Sequence, residues 1–158
     1  CSSDLSVAAA TTFAARVVQR YGALLAWGAA APAGLTHAFP TAQVLADAPL
    51  EDLGIVRTRA AAIRAFARRV ADDADFFARM ADLDDAVAQL SALPGIGVWT
   101  AQYIAMRGLS EPDAFPHRDL GLMRAFARAG CDPDTLAAHA QGWRPWRAYA
   151  AMRLWHLP

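Results

Sequence analysis

Apolar residues recur along this chain at helical spacing. From Leu5 to Tyr21, the positions Leu5, Ala9, Phe13, Val17 and Tyr21 or Leu24 fall on one stripe, and Gly22 stops the run. The stretch from Trp27 to Phe39, with Gly28, Pro32 and Gly34, reads as a loop. Thr41 caps a short helix to Ala48, and Pro49 opens another that ends at Gly54. A longer helix runs from Arg57 to Val70 and buries Ile63, Phe66 and Val70. Its Arg57, Arg64 and Arg68 share a face, which reads as a solvated stripe and not as a binding surface.

Asp72, Asp73, Asp75, Asp82, Asp84 and Asp85 form an acidic stretch around a short helix near Phe76 and Met80. Asp82 is placed to cap the next helix, where acids suit the positive end. A divalent-metal site is the other reading, but the spacing and glycine of an EF-hand are absent. Such a cluster also makes a poor surface for phosphate.

Helix then runs from Val98 to Arg107, stopped by Gly108, followed by a loop through Phe115-Pro116. A further helix spans Asp119 to Ala129, stopped by Gly130. Asp132-Pro133 is an N-cap with proline at the first helical position, and Pro145 opens a last helix to about His156. No strand-like alternation and no internal repeat interrupts this pattern. The expectation is an all-α chain, residues 1–158 forming a single helical domain.

Composition supports that expectation and narrows the chemistry. The chain has 158 residues, of which 39 are alanine, the residue that loses least on entering a helix. Fifteen basic residues balance fifteen acids, so no global field argues for a nucleic acid or a membrane. All the basic residues are arginine. With no lysine, Schiff-base chemistry from an ε-amine is excluded, leaving the α-amino group as the only primary amine. Two cysteines, Cys1 and Cys131, cannot supply a Cys₄ cluster or zinc site, and one pair is no disulfide framework, so a reducing cytoplasm is the default. No apolar run approaches the roughly 18 residues of a membrane span. Cys1-Ser2-Ser3 could open a mature lipoprotein, but the amphipathic pattern begins by Leu5, which fits a fragment or a processed chain better.

The densest chemistry lies between Asp85 and Arg107, where Leu93-Pro94-Gly95-Ile96-Gly97 joins two amphipathic helices. Two glycines let the backbone turn tightly and let another backbone come close. The N–H groups after Gly97 open a helix, where unpaired donors and the dipole favour an anion such as a DNA phosphate. A glycine-rich hairpin with no ligand fits these five residues equally well.

The longer segment from Leu93 through Gly97 to Val98-Trp99-Thr100-Ala101 resembles the hairpin of the helix-hairpin-helix DNA glycosylases. Phe115-Pro116-His117-Arg118-Asp119-Leu120-Gly121 and Trp143-Arg144-Pro145-Trp146-Arg147 resemble the alkylbase branch, the AlkA-type 3-methyladenine glycosylases II. Leu5-Ser6-Val7-Ala8, leading into Ala14-Ala15-Arg16-Val17-Val18, does so too, and the resemblance extends from about Leu5 to Trp155.

The resemblance implies a helix-hairpin-helix glycosylase fold and a base excision repair activity. Alkylated purines of the 3-methyladenine and 7-methylguanine type would be flipped from double-stranded DNA and their N-glycosidic bond hydrolysed. Asp119 is then the catalytic carboxylate, stabilising an oxocarbenium-like sugar and helping to orient or deprotonate water. On spacing alone Asp119 is equally a helix N-cap.

Trp99, Tyr103 and Trp155 are the base-pocket aromatics that the resemblance implies. Trp99 and Tyr103 stand four apart on one face, and aromatic faces attract the cationic alkylated base; ordinary core packing is the other reading. Gly95, Ile96, Gly97 and Thr100 would bind DNA. Backbone carbonyls of Ser91, Leu93 and Ile96 would hold a structural Na⁺ or K⁺, no cofactor being required for the chemistry. Arg144 and Arg147 could reach phosphate or pair with acids. The implied protein is a monomer that acts without a membrane, in the cytoplasm at the nucleoid.

Strand-nicking relatives keep a catalytic lysine just before the hairpin threonine, where this chain has Trp99. The expectation is therefore hydrolysis without lyase activity. Other departures weaken duplex engagement. Ser2-Ser3-Asp4 replaces a glutamine-rich turn, and Asp4 at the wedge position would repel phosphate and fill the gap poorly. Leu120 stands where a relative carries a pocket tyrosine, and the upstream helix and amino-terminal β-rich domain of longer relatives are missing. The alternative function is thus a non-catalytic helix-hairpin-helix DNA-binding module derived from a glycosylase.

Overall fold

A computed structural model describes residues 7–26 and 34–157. Asp4 with its neighbours at 1–6, and much of the loop from Trp27, lie outside the described residues. The chain packs as two compact units, Cys1–Ala74 and Asp75–Pro158. Among the described residues the structure is helical, with one isolated antiparallel bridge between Leu24 and His37. No helix among them is long and apolar enough to cross a membrane.

The first unit contains helices α1 (Val7–Tyr21), α2 (Ala42–Ala46) and α3 (Arg57–Asp72), with a 3₁₀ turn at Leu50–Leu53. Its core gathers Val17, Ala48, Leu50, Ile55 and Ala60, flanked by Phe13 and Tyr21 from the expected α1 stripe. Thr41 caps α2 by accepting from the Val44 N–H, although the helix stops at Ala46, two residues short of the expected end. In α3 the fully buried positions are Ala60 and Ala67, while Ile63, Phe66 and Val70 are only partly covered. Small side chains there let neighbouring backbone approach closely.

Of the arginine stripe, Arg57 and Arg68 are exposed as expected, whereas Arg64 is partly covered. Arg64 grips Glu51 through two bonds of 2.7 and 2.8 Å and also donates to the Ala48 carbonyl. Arg68 donates to the Ala46 carbonyl and to Asp47. These cations sit where α2 ends, and a helix C-terminus favours positive charge. The Arg64 hydrogen bonds, aided by backbone N–H donation, hold the Glu51 carboxyl down at about 2.

The second unit contains α4 (Leu83–Ser91), α5 (Val98–Gly108), α6 (Leu120–Arg128), α7 (Leu136–His139) and α8 (Arg147–Trp155). Asp82 caps α4 as expected, accepting from the Asp85 N–H at 2.9 Å. Asp85 accepts from the Ala81 N–H and the Gln89 amide, which together hold its carboxyl below the usual range. The segment near Phe76 and Met80 is a run of turns, not a helix. Its i→i+4 bond from Arg79 to Asp75 is not propagated, as expected of a short nucleus among turn-favouring aspartates. Asp132 caps a 3₁₀ turn at Pro133–Thr135 that leads into α7. The last helix begins at Arg147 instead of Pro145, with Trp146 at its N-cap. The core of this unit is built around Met106, Phe115, Leu122, Phe126 and Leu136, with alanines from α5 and α8 between them.

Candidate active site

Asp119 is the N-cap of α6, and its Oδ1 accepts the Leu122 N–H at 2.9 Å. It is also the meeting point of two tryptophans. Trp155, the last residue of α8, donates its indole N–H to Oδ1 at 2.8 Å. Trp99, in the first turn of α5, donates to Oδ2 at 3.1 Å. An ionised carboxylate offers about four acceptor positions, so three are taken and one, on Oδ2, remains. All three donors are neutral. Among the described residues the carboxylate is therefore oriented without an ion pair to a cation.

Tyr103 completes the cluster. Its ring stacks on Trp99 with centroids 5.5 Å apart and planes at 14°, and it meets Trp155 at 6.0 Å and 59°. The four residues named from sequence thus lie in one constellation drawn from α5, α6 and α8. What the sequence does not reveal is that the two indoles are polar partners of Asp119. A helical wheel reports which face a residue occupies, but not what its N–H reaches.

The loop from Leu109 to Asp119 sets this geometry. Gln102 of α5 accepts the Phe115 N–H at 2.8 Å, and the Asp119 N–H donates to the Pro116 carbonyl at 2.8 Å. Phe115 and Pro116 are buried, which fixes the base of the loop. Asp113 accepts from Arg147 through two bonds of 2.7 and 2.8 Å and forms an ion pair with Arg144 at 2.9 Å, while the Ala148 N–H reaches the Pro112 carbonyl. Both arginines, which the sequence leaves open between phosphate and acids, are therefore paired with an acid, and Arg147 is only 9% exposed. The pairing pins the start of the helix whose last residue is Trp155.

A cavity of about 270 Å³ is lined by Val98, Trp99, Gln102, Pro116, His117 and Arg118; of the four clustered residues it includes Trp99 but not Asp119, Tyr103 or Trp155. Sequence reasoning gives His117 and Arg118 no role, although they directly precede Asp119. Leu120 follows it and is 59% exposed.

The hairpin between α4 and α5 is compact. The Ile96 N–H closes a turn onto the Leu93 carbonyl at 3.1 Å, and Gly95 sits at φ +81°, a conformation glycine adopts without penalty. Gly97 is the N-cap of α5 and supplies no side-chain cap, so no cap side chain engages the N–H groups of the first turn. A Cβ on Gly97 would meet nothing within 4 Å, so packing inside the chain does not require a glycine there. Thr100 stands in this first turn. Ser91 at the other end of the hairpin has a buried hydroxyl oxygen with no partner. Among the described residues no group of three or more His, Cys, Asp or Glu side chains is arranged to hold a metal ion.

Residues 1–147 match the family model described as HhH-GPD superfamily base excision DNA repair protein. The chain is 40% identical over 156 residues to the "Probable bifunctional transcriptional activator/DNA repair enzyme AlkA" of Mycobacterium tuberculosis, covering 98% of this chain and 31% of that protein. It is 35% identical over 155 residues to DNA-3-methyladenine glycosylase 2 of Escherichia coli, covering 96% and 52%. Among solved structures, the 3-methyladenine DNA-glycosylase of Archaeoglobus fulgidus superposes with a TM-score of 0.81 at 24% identity, covering 98% of this chain and 53% of its own. A Schizosaccharomyces pombe 3-methyladenine DNA glycosylase, solved with abasic DNA, superposes with a TM-score of 0.75 at 19% identity, covering 98% and 74%. At those identities the superpositions show a shared helical fold. The chain spans 31% and 52% of the length of these two curated relatives.

Proposed function

The chain belongs to the HhH-GPD superfamily of base excision DNA repair proteins, and from that premise we propose that it is a monofunctional DNA glycosylase for alkylated purines. The observation that carries this reading is the Asp119 carboxylate, held by three neutral N–H donors beside an aromatic cluster. Breaking the bond between C1′ and the base nitrogen leaves positive charge on the sugar. An ionised carboxylate facing that sugar stabilises the charge, and pre-orientation means it does not reorganise during the step. The bond electrons leave with the base, which becomes neutral because alkylation had made it cationic. Water adds its oxygen to C1′ and gives up a proton, for which the remaining acceptor position on Oδ2 is available.

Trp99, Tyr103 and Trp155 supply the stacking surface for the flipped base, with the two indole edges turned to Asp119. Trp99 cannot form the imine that a lysine at its position would form, and the chain has no lysine, so an intact abasic site is the product. Gly95, Ile96, Gly97 and Thr100 present the uncapped start of α5 to a backbone phosphate. Gly97 leaves open space at that point. The carbonyls of Ser91, Leu93 and Ile96 are hard oxygen donors of the kind Na⁺ or K⁺ takes, and the buried Ser91 hydroxyl, without a partner among the described residues, supports that reading. A bound cation would rigidify the hairpin and take no part in the bond cleavage. The substrate is double-stranded DNA met by a single copy of this chain, which places the work at the nucleoid in the cytoplasm.

The test is incubation with methylated duplex DNA, measuring released 3-methyladenine and 7-methylguanine for the wild type and for Asp119→Asn. Release by the wild type that Asp119→Asn abolishes is expected. Salt-sensitive DNA binding with no release would instead identify a non-catalytic binding module.

A further inference from the structure

Helix α6 opens Asp119-Leu120-Gly121, and the glycine breaks a local rule. Glycine weakens a helix by about 1 kcal/mol relative to alanine, and this chain uses alanine freely, with Ala125 and Ala127 in the same helix. Gly121 is not among the residues with positive φ, so backbone conformation does not demand it. Space does. A Cβ at this position would lie 2.9 Å from Asp119 Oδ1, 3.2 Å from Trp155 Cδ1 and 3.3 Å from Trp155 Nε1. Oδ1 and Nε1 are the two partners of the 2.8 Å hydrogen bond. Neither partner is free to retreat: Oδ1 is also tied to the Leu122 N–H, and α8 is pinned at its start by the Arg147–Asp113 pair.

We propose that Gly121 is a positioning residue for Asp119. Its missing side chain opens the gap through which the Trp155 indole N–H reaches Oδ1, and so sets the rotation of the carboxylate. Leu122 holds that oxygen at the helix head while Trp155 holds it from the far side, and a methyl group at 121 separates the two. The effect on the hydrogen bond follows from geometry alone; the effect on turnover rests on the glycosylase reading above.

A double-mutant cycle of Gly121→Ala and Trp155→Phe tests this, read by the indole N–H resonances and by kcat and KM for base release. Gly121→Ala is expected to keep the fold, to move the Trp155 indole resonance toward the unbonded position, and to lower kcat about tenfold at unchanged KM. Phenylalanine lacks the indole edge that meets the new methyl, so the double variant is expected to do no worse than Trp155→Phe alone. An unmoved resonance in Gly121→Ala, or effects that multiply in the double variant, overturns the proposal. If Gly121→Ala does not fold, Trp155→Phe in the same chain must restore folding, and failure to do so also overturns it. A moved resonance in a protein whose wild type releases no base upholds the positioning role and removes the glycosylase reading instead.

Discussion

Asp113 and Asp119 belong to the same loop, between α5 and α6, and the structure surrounds them differently. Asp113 takes a two-bond grip from Arg147 and a further contact from Arg144. Its charge is spent on holding α8 in place. Asp119 takes three neutral N–H donors and no arginine. A carboxylate whose charge is cancelled by guanidinium groups is a structural tie, whereas one fixed by neutral dipoles keeps its field for something else. In a chain whose bases are all arginine, a half-buried carboxylate bonded by neutral donors alone is the more informative of the two.

Removing the charge at each position is the sharpest way to break this contrast. Asp119→Asn should lower kcat for base release by about 10²–10⁴-fold while leaving DNA affinity within a few-fold. Asp113→Asn should do the reverse. It strands the buried Arg147 and should cost roughly 3 kcal/mol of stability in urea unfolding, with kcat below the melting transition falling far less than in Asp119→Asn. Equal activity losses in both variants would erase the distinction between them.

Weaker effects come from the donors. Trp99→Phe and Trp155→Phe each delete one N–H bond to a charged acceptor, and each should lower kcat about 10- to 100-fold. Steady-state kinetics will show whether KM moves too, as loss of base stacking alone would require. The smallest effect lies in the first unit, where Glu51 resembles Asp113 in being held by an arginine. Its carboxyl is pulled from an ordinary 4.5 down to about 2. Folding therefore gains from its ionisation above about pH 4.5, and that gain fades as the pH falls toward 2. The stability gap between wild type and Glu51→Gln should be constant near neutral pH and close through that acid range. A gap that persists at pH 2 would show that shape, not charge, is what Glu51 contributes.

Much of the fold is legible in helix spacing and caps. Asp82, Thr41 and Asp132 cap where the sequence places them because a cap is a short-range bond within a few residues. The failures are also physical. The turns around Phe76 bury one aromatic and look helical in pattern, yet the segment is too short to propagate. Arg64 looks solvated in the sequence because its partners, Glu51 and the Ala48 carbonyl, lie in another region of the chain that no wheel displays.

The same boundary runs through the site. Sequence by itself determined the helical architecture, the hairpin with its glycines, the absence of an amine at Trp99, and the candidates Asp119, Trp99, Tyr103 and Trp155. The architecture and the hairpin are matters of residue type and local spacing, whereas the site candidates and the meaning of the missing amine come from the resemblance that the motifs carry. Only tertiary structure decided that both indole N–H groups converge on Asp119, that Asp113 pairs with Arg144 and Arg147, and that Gly121 leaves the room for the Trp155 bond. Those facts depend on where α5, α6 and α8 come together. Hydrogen-bond reach is short, and a shift of one ångström between helices would change every partner.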